Sequence, residues 1–316
     1  MITTDLSLAK NALNNDKIIA IPTETVYGLA GNAYSEKAVE KIFSLKKRPF
    51  YNPLIVHIKS ADYLNNVARE VPELAKKLAN EFWPGPLTLV LKKRAIIPDL
   101  VTSGKDTVAI RIPNHPLILQ LLAQLEFPLA APSANPFGSI SPTSAEHVDD
   151  YFKDSLDVIL DGGKCEKGIE STIIGFEKNQ PIIYRLGSLS IEQIENKIGN
   201  VLTKTHNDSS PSAPGMLSRH YAPSTDTYLT NDVQRLMQSY RGKKIGFLLF
   251  QNQIENAPIE YQEILSKSGD LKEAAKNLYA AMHRLDKLKL DLIIAERLPN
   301  IGLGKTLNDK LQRAAK

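Results

Sequence analysis

The sequence predicts an α/β protein of two unequal units, a larger one with mixed strands and helices and a smaller, Rossmann-like one at the carboxy terminus. Three observations support this. Strand-like and helix-like apolar patterns are interspersed over residues 1–202, the composition shifts to Asn, Asp, Ser and Pro from about residue 204, and helix and strand patterns alternate over residues 228–316. Residues 203–227 are therefore predicted to link the units, and 316 residues suffice for two cores.

In the larger unit, apolar residues spaced three and four apart predict helices, and short apolar or alternating runs predict strands. Ser190 and Gln193 form the sequence pattern of a capping box at the start of the last helix. The predicted helices of this unit are 6–13, 36–47, 72–82, 117–125 and 190–198. The predicted strands are 17–21, 54–58, 87–91, 107–113, 128–131, 158–160, 171–174 and 182–185.

The smaller unit shows a regular alternation of helix and strand patterns. Its predicted elements are a helix at 232–239, a strand at 244–250, a helix at 270–288 and a strand at 291–295. This order is typical of a small α/β unit.

Composition limits the cellular setting and the chemistry. Cys165 is the one cysteine, which excludes an intrachain disulfide and a multi-cysteine metal site and fits a reducing compartment. No apolar run reaches the ~20 residues needed to span a bilayer, so we expect a cytoplasmic protein without a membrane segment. The formal net charge of +4 fits a nucleotide or tRNA ligand and is also common among cytosolic enzymes.

Polar groups follow several of the predicted strands. The apolar run 128–131 ends in Pro132-Ser133-Ala134-Asn135, and the run 17–21 ends in Pro22-Thr23-Glu24-Thr25. Hydroxyls, amides and cations that recur at strand ends indicate a site that binds anions and polar groups.

Each candidate residue also has a structural interpretation. Lys46 and Arg48 lie at the end of a predicted helix, where cations commonly complement the helix dipole. They also precede a predicted strand, and a phosphate-binding role there is about as plausible as the role at the helix end. His57 lies in a strand, where a histidine is more often structural than a ligand. Arg111 alternates with apolar strand residues, so its burial would require a carboxylate or phosphate partner. For Cys165, an unreactive thiol is favoured over a reactive one.

Seven short motifs, in this order, resemble those of the threonylcarbamoyl-AMP synthase family. The resemblance covers residues 1 to about 200, and the Ser-Arg-His-Tyr-Ala-Pro stretch at 218–223 with the α/β tail resembles the longer, two-domain members. The motifs are Pro22-Thr-Glu-Thr-Val-Tyr-Gly-Leu29, Lys46-x-Arg48-Pro49, Asn52-Pro53-Leu54, Trp83-Pro-Gly-Pro-Leu-Thr88, Val108-Ala-Ile-Arg-Ile-Pro113, Ser133-x-Asn135 and Glu170-Ser-Thr-Ile173.

The resemblance implies a fold and a reaction. It implies a YrdC-like catalytic domain with a mixed twisted sheet at 1–202, a segment over the active site at 203–227 and an extra α/β domain at 228–316. It further implies a nucleotidyltransferase that joins L-threonine, bicarbonate and ATP, with Mg²⁺ entering as Mg-ATP, to give threonylcarbamoyl-AMP and pyrophosphate. The product would serve threonylcarbamoyladenosine modification of tRNA, so tRNA or a threonylcarbamoyl transferase complex is a candidate partner.

The same resemblance assigns roles to matching positions and leaves the Mg²⁺ ligands open. A catalytic tetrad would be Lys46, Arg48, Ser133 and Asn135. ATP would contact Arg48, Asn52, Thr107, Ser133, Arg185 and Tyr221. Threonine would contact Thr25, His57, Arg111, Ala131 and Ser171.

Two further expectations concern the linker and the tail. Arg219, His220 and Tyr221 are expected to fold over the nucleotide, because a reactive mixed anhydride must be shielded from water. In the tail, Lys305-Thr306 and Lys310 depart from the small or apolar pair and the arginine that the family pattern suggests there.

Three alternatives to the synthase stay open at this stage. The basic balance and strand-borne cations could belong to an RNA-binding module, although aromatic residues are only 7% and do not interleave with the cations. The same anion site could serve a hydrolase of acyl phosphates or adenylates. The tail could regulate or dimerise the enzyme.

Overall fold

The computed structural model describes residues 1–209, 211–255 and 257–316. Residue 210 of the predicted linker and residue 256 of the predicted carboxy-terminal unit lie outside the described residues. Two separate sheets organise the described chain, one of twelve strands and one of four. We call the units built on them the amino-terminal and carboxy-terminal domains, and residues 204–226 between them the connecting segment.

The amino-terminal domain contains strands β1 to β12 and helices α1 to α8. In chain order they are β1 (Ile2–Thr3), α1 (Leu6–Asn14), β2 (Ile19–Ile21), β3 (Gly28–Asn32), α2 (Glu36–Lys46), β4 (Ile55–His57), α3 (Leu64–Val67), β5 (Ala68–Glu70), α4 (Glu73–Phe82), β6 (Leu87–Lys93), α5 (Asp99–Thr102), β7 (Thr107–Arg111), α6 (Pro116–Ala123), β8 (Leu129–Ala130), α7 (Ala145–Phe152), a 3₁₀ turn (Lys153–Ser155), β9 (Ile159–Leu160), β10 (Thr172–Glu177), β11 (Gln180–Arg185), α8 (Ile191–Ile198) and β12 (Leu202–Thr203).

The large sheet mixes parallel and antiparallel pairs, as predicted for a mixed twisted sheet. Its strand order is β1-β9-β2-β3-β8-β4-β7-β6-β10-β11-β12, and β5 pairs with β6. Strand β4 lies between β7, to which it is parallel, and β8, to which it is antiparallel. This order places the ends of β2, β4, β7 and β8 close together, although they are far apart in sequence.

Local sequence signals account for several element boundaries. The capping box of α8 is present, with the Ser190 hydroxyl accepting from the Gln193 backbone N–H and the Gln193 side chain accepting from the Ser190 N–H. Strand β3 was not predicted, because its Gly-Leu-Ala-Gly-Asn sequence resembles a turn. Gly31 belongs in this strand because a Cβ there would lie 3.2–3.4 Å from Ile18, Ala38 and Ile42, so glycine lets α2 pack closely.

The carboxy-terminal domain is a parallel sheet with helices, as its alternating pattern predicted. Its elements are β13 (Thr227–Thr230), α9 (Val233–Ser239), β14 (Ile245–Leu249), a 3₁₀ turn (Ile259–Tyr261), β15 (Gln262–Ile264), α10 (Leu271–Asp286), β16 (Leu292–Glu296) and α11 (Leu303–Ala314). The strand order is β13-β16-β14-β15, and every neighbouring pair is parallel. The sequence patterns missed β13, β15 and α11.

Two global features bear on the sequence predictions. Within the residues that the structure describes, every helix is too short or too polar to cross a membrane. The Cys165 thiol is buried, and burial raises its pKa with a further contribution from the Glu24 charge, which fits the predicted unreactive thiol.

Candidate active site

A single cavity collects most of the predicted site residues. It lies between strand ends of the large sheet and the connecting segment, and its empty space of about 560 Å³ is partly open to solvent. The predicted residues in its wall are Thr25, Arg48, His57, Arg111, Ala131, Ser133, Ser171, Arg185 and Tyr221. Their assigned roles stay predictions, but the fold brings these nine positions to one place.

Arg111 forms one end of the cavity. It ends β7 beside His57 of β4, because the register of these parallel strands pairs the two residues. The other face of β7 carries Val108 and Ile110, which are in the core, so strand alternation turns the arginine to the cavity as predicted.

The buried guanidinium of Arg111 has partners within the chain. Its Nη2 lies 2.6 Å from a carboxylate oxygen of Glu24, Nη1 donates to the Thr25 hydroxyl at 2.9 Å and Nε donates to the Gly85 carbonyl at 3.2 Å. The expected carboxylate partner therefore exists, and it is Glu24, to which the sequence reasoning gave no role. An arginine has five N–H donors, so these three contacts leave donors for a ligand carboxylate.

His57 supplies a neutral imidazole beside this arginine. Burial and the Arg111 charge lower the pKa of His57 to about 3, and Nδ1 has no hydrogen-bond partner among the described residues. The ring is therefore uncharged near neutral pH. A neutral imidazole has one donor and one acceptor nitrogen, so it can form a hydrogen bond with a ligand hydroxyl or amine.

Arg48 and Arg185 place two buried cations at the other end of the cavity. Arg48 donates to the carbonyls of Asn52 and Pro53 at 3.0 and 2.7 Å, and Arg185 donates to the carbonyl and hydroxyl of Ser171 at 2.9–3.1 Å. Burial and the neighbouring Arg185 charge lower the pKa of Arg48 to about 9. Buried like charges held by neutral oxygens are costly, and a bound anion would relieve that cost.

Lys46 and Asn135 stand behind the cavity wall. The Lys46 ammonium donates to the carbonyls of Ser133 and Asn135, and the Asn135 amide donates to the carbonyls of Pro136 and Ser139 at 2.9 and 2.8 Å. Burial and the Arg48 charge lower the pKa of Lys46 well below its usual range. In this structure both side chains fix the turn that presents Ser133, rather than point into the cavity.

Two other predicted ATP contacts also lie outside the cavity wall. Asn52 is fully buried next to Arg48, and its side-chain amide has no partner among the described residues. Thr107 begins β7, four residues before Arg111, which is about 13 Å along a strand. Their proposed contacts with ATP stay predictions.

The connecting segment closes the cavity. Pro214, Gly215, His220 and Tyr221 line it, and the Ala222 N–H donates to the Gly138 carbonyl at 2.8 Å. Gly215 has a φ of 83°, and a Cβ there would lie 2.6 Å from Arg185 Cδ, so glycine is required.

The three residues expected to fold over the nucleotide differ in where their side chains lie. His220 and Tyr221 line the cavity, whereas Arg219 is exposed and outside its wall, and contact of these residues with a nucleotide stays a prediction. His220 is buried beside several cations. Burial, with the charges of Arg48 and Lys46, lowers its pKa well below the usual range, so the imidazole is neutral.

Metal ligation by the chain has little support from the side-chain arrangement. Within residues 1–209, 211–255 and 257–316, no group of three His, Cys, Asp or Glu side chains is arranged to hold a metal ion. Glu170 in the cavity wall already accepts hydrogen bonds from Ser141 and Tyr279 at 2.6 and 2.9 Å. Both oxygens of this carboxylate are therefore engaged within the chain.

Two family models match consecutive parts of this chain. The Sua5/YciO/YrdC model, described as telomere recombination, matches residues 11–187, and a model described as the carboxy-terminal domain of threonylcarbamoyl-AMP synthase matches residues 189–316. The match of the first model extends over more than half of the chain.

Relatives and solved structures are similar over almost the whole chain. Threonylcarbamoyl-AMP synthases of Pyrococcus abyssi and Bacillus subtilis are 39% and 40% identical, over 98% and 99% of this chain and 94% of each relative. A crystal structure of P. abyssi Sua5 with L-threonine superposes with a TM-score of 0.91, at 39% identity and over 98% of this chain and 94% of that one. Escherichia coli YciO, 22% identical with a TM-score of 0.51 over 58% of this chain and 88% of its own, shares the fold of the amino-terminal domain.

Proposed function

This chain belongs to the threonylcarbamoyl-AMP synthase family, and we propose that it condenses L-threonine, bicarbonate and ATP to threonylcarbamoyl-AMP and pyrophosphate. The observation that carries the proposal is one cavity with a buried arginine and neutral imidazole at one end and two further arginines at the other. The first pair suits an amino acid, and the second suits a polyphosphate.

We propose that threonine binds at the Arg111 end. Its carboxylate would accept from the remaining N–H groups of Arg111, and its hydroxyl would find partners among Thr25, His57 and Ser171. Ala131, which is 4% exposed, would leave room for the threonine methyl group. The crystal structure of the P. abyssi relative with L-threonine supports threonine as a ligand.

We place the ATP phosphates at Arg48 and Arg185, beside the hydroxyls of Ser133 and Ser171. Arginine side chains give bidentate contacts to phosphate oxygens, and the neutral partners that they have in the chain leave their charges available. Mg²⁺ would enter bound to ATP, with phosphate oxygens and water as its principal ligands, and would neutralise part of the phosphate charge.

The reaction follows from this arrangement without a nucleophile from the protein. The threonine amine combines with bicarbonate to form a carbamate and water, and a carbamate oxygen then attacks the α-phosphorus of ATP. The bond from that phosphorus to the bridging oxygen breaks, pyrophosphate leaves, and AMP is transferred to the carbamate. Catalysis would rest on orientation and charge stabilisation, for which good positioning alone supplies roughly 7–11 kcal/mol.

This chemistry makes the protein a nucleotidyltransferase. Its mixed-anhydride product would pass to a transferase complex that modifies tRNA, because threonylcarbamoyl-AMP hydrolyses if it is left in water. We place the reaction in the cytoplasm, in agreement with the single buried cysteine.

Pyrophosphate release tests the proposal. Purified protein with Mg-ATP, bicarbonate and L-threonine should release pyrophosphate, and omission of threonine or bicarbonate should each abolish the release. Release that persists without threonine would favour the hydrolase alternative, and salt-dependent tRNA binding without turnover would favour the RNA-binding one.

A further inference from the structure

The carboxy-terminal domain supports the cavity from behind. The cavity wall is made by the amino-terminal domain and the connecting segment, but two wall residues, Glu170 and Tyr221, are held by side chains of α10 and α11. These side chains are Tyr279 and Lys310, both buried. Neither has a role in the function proposed above.

Lys310 joins three parts of the site. Its ammonium donates to the Tyr221 hydroxyl at 3.2 Å and to the Leu186 carbonyl at 3.0 Å, and it lies 3.9 Å from a Glu170 carboxylate oxygen. Leu186 directly follows the phosphate-site residue Arg185. The Lys310 amine of α11 therefore contacts the backbone next to Arg185, the connecting segment at Tyr221 and the carboxylate of Glu170.

Tyr279 completes the support from α10. Its hydroxyl donates to the same Glu170 oxygen at 2.9 Å, and its ring stacks on Tyr221 with centroids 5.8 Å apart. Tyr221 has a φ of 65°, a left-handed conformation that a bulky residue keeps only when its surroundings over-determine it. Lys310 and Tyr279 are two of the groups that do so.

The negative charge of Glu170 gives the contact with Lys310 an electrostatic role. A carboxylate in the wall of a polyphosphate site repels the ligand unless a cation offsets it. Lys310 is such a cation, and the Ser141 and Tyr279 hydroxyls hold the carboxylate at 2.6 and 2.9 Å.

We propose that Lys310 and Tyr279 are positioning residues through which the carboxy-terminal domain holds Glu170 and Tyr221 for ATP binding. The inference rests on the function proposed above, because it takes ATP as the ligand of the Arg48 and Arg185 end. The carboxy-terminal domain thus completes the site without touching the substrate.

The titration of Lys310 offers a specific test. Burial lowers the pKa of Lys310 to about 8, against the opposing effects of the Glu170 and Asp309 charges. The titratable and charged groups that face it are Glu170, Asp309, Arg185, Arg313, Tyr221, Tyr279 and His220. As pH rises through about 8, the amine loses its charge, Glu170 is no longer offset, and ATP should bind more weakly.

The experiment measures ATP affinity of the full-length protein by calorimetry, with threonine and bicarbonate omitted. Lys310→Met should weaken ATP binding about tenfold at pH 7. Tyr279→Phe should weaken it by a smaller factor. Lys305→Met is the matched control, because Lys305 also joins α11 to the amino-terminal domain, through a half-exposed ion pair with Glu192 at 2.6 Å, but lies outside the site.

The variant Lys310→Arg keeps a long cationic side chain at this position, so it tests the role of the charge apart from the loss of packing. Arginine holds its proton to a higher pH than lysine in the same surroundings, so this variant should bind ATP well at pH 7 and lose less affinity than the wild type between pH 7 and 9. The comparison cancels the titration of Lys46, which both proteins share. It also remains informative if Lys310→Met fails to fold.

Two results would overturn the proposal. One is an ATP affinity of Lys310→Met equal to that of Lys305→Met, and the other is the same pH dependence in Lys310→Arg as in the wild type. The threonylcarbamoyl-AMP assay is run separately on the wild type. If the wild type makes no product but its ATP affinity depends on Lys310, the positioning role stands and the proposed reaction fails.

Discussion

Replacing Arg111 with alanine should raise the KM for L-threonine by about two orders of magnitude, the lower part of the ~2–5 kcal/mol expected for truncating a buried charge pair. The substrate carboxylate would lose its bidentate partner. The KM for ATP should change much less, because the phosphates are placed at Arg48 and Arg185. Steady-state kinetics with each substrate varied in turn checks this separation.

The Arg111 variant needs controls because Glu24 would also be left unpaired in a buried position. Arg111→Ala combined with Glu24→Gln removes both charges and should recover stability without recovering threonine affinity. Arg185→Ala is the matched change at the other end of the cavity and should raise the KM for ATP instead. An unchanged threonine KM in a folded Arg111→Ala protein would remove Arg111 from the threonine site.

Replacing residues 214–223 with a Gly/Ser segment of equal length should lower synthesis by about a hundredfold, the scale expected when reacting groups are misplaced by an ångström or so. The segment supplies Pro214, Gly215, His220 and Tyr221 to the cavity wall. Without them, water reaches the mixed anhydride, so more ATP should be consumed for each product formed. Product and AMP are quantified together by chromatography.

The control for the segment is Arg219→Ser. This side chain is exposed and outside the cavity, so the variant should keep normal synthesis and coupling. If the Gly/Ser replacement itself consumes no more ATP per product than the wild type, residues 214–223 only tether the two domains.

Strand alternation was sufficient to predict the direction of Arg111 in β7, whereas the family resemblance alone assigned His57 to the site. The side chains of His57 and Arg111 lie on the strand face opposite to their adjacent apolar residues, and the alternation of side chains along a strand alone predicts this orientation. The alternation of helix and strand over residues 232–295 was equally readable for α9, β14, α10 and β16, although β15 between them was missed. These features depend on residues close together in sequence.

The unpredicted features depend on long-range contacts or on polar burial. Helix α11 has a readable apolar face at Leu307 and Leu311, but the burial of Lys310 and other polar side chains beside that face has no local signal. The contact of Tyr279 with Glu170 joins residues 109 positions apart, which no local pattern reveals. Sequence also placed Lys46 at the site but could not tell that its ammonium turns back to the carbonyls of Ser133 and Asn135.

The central claim is that one cavity joins threonine to ATP through a carbon taken from bicarbonate. Mass spectrometry of the product made from ¹³C-labelled bicarbonate, unlabelled L-threonine and Mg-ATP tests it most directly. We expect threonylcarbamoyl-AMP that carries the label, with an equal amount of pyrophosphate. Pyrophosphate or phosphate released without a labelled adenylate of threonine would contradict it.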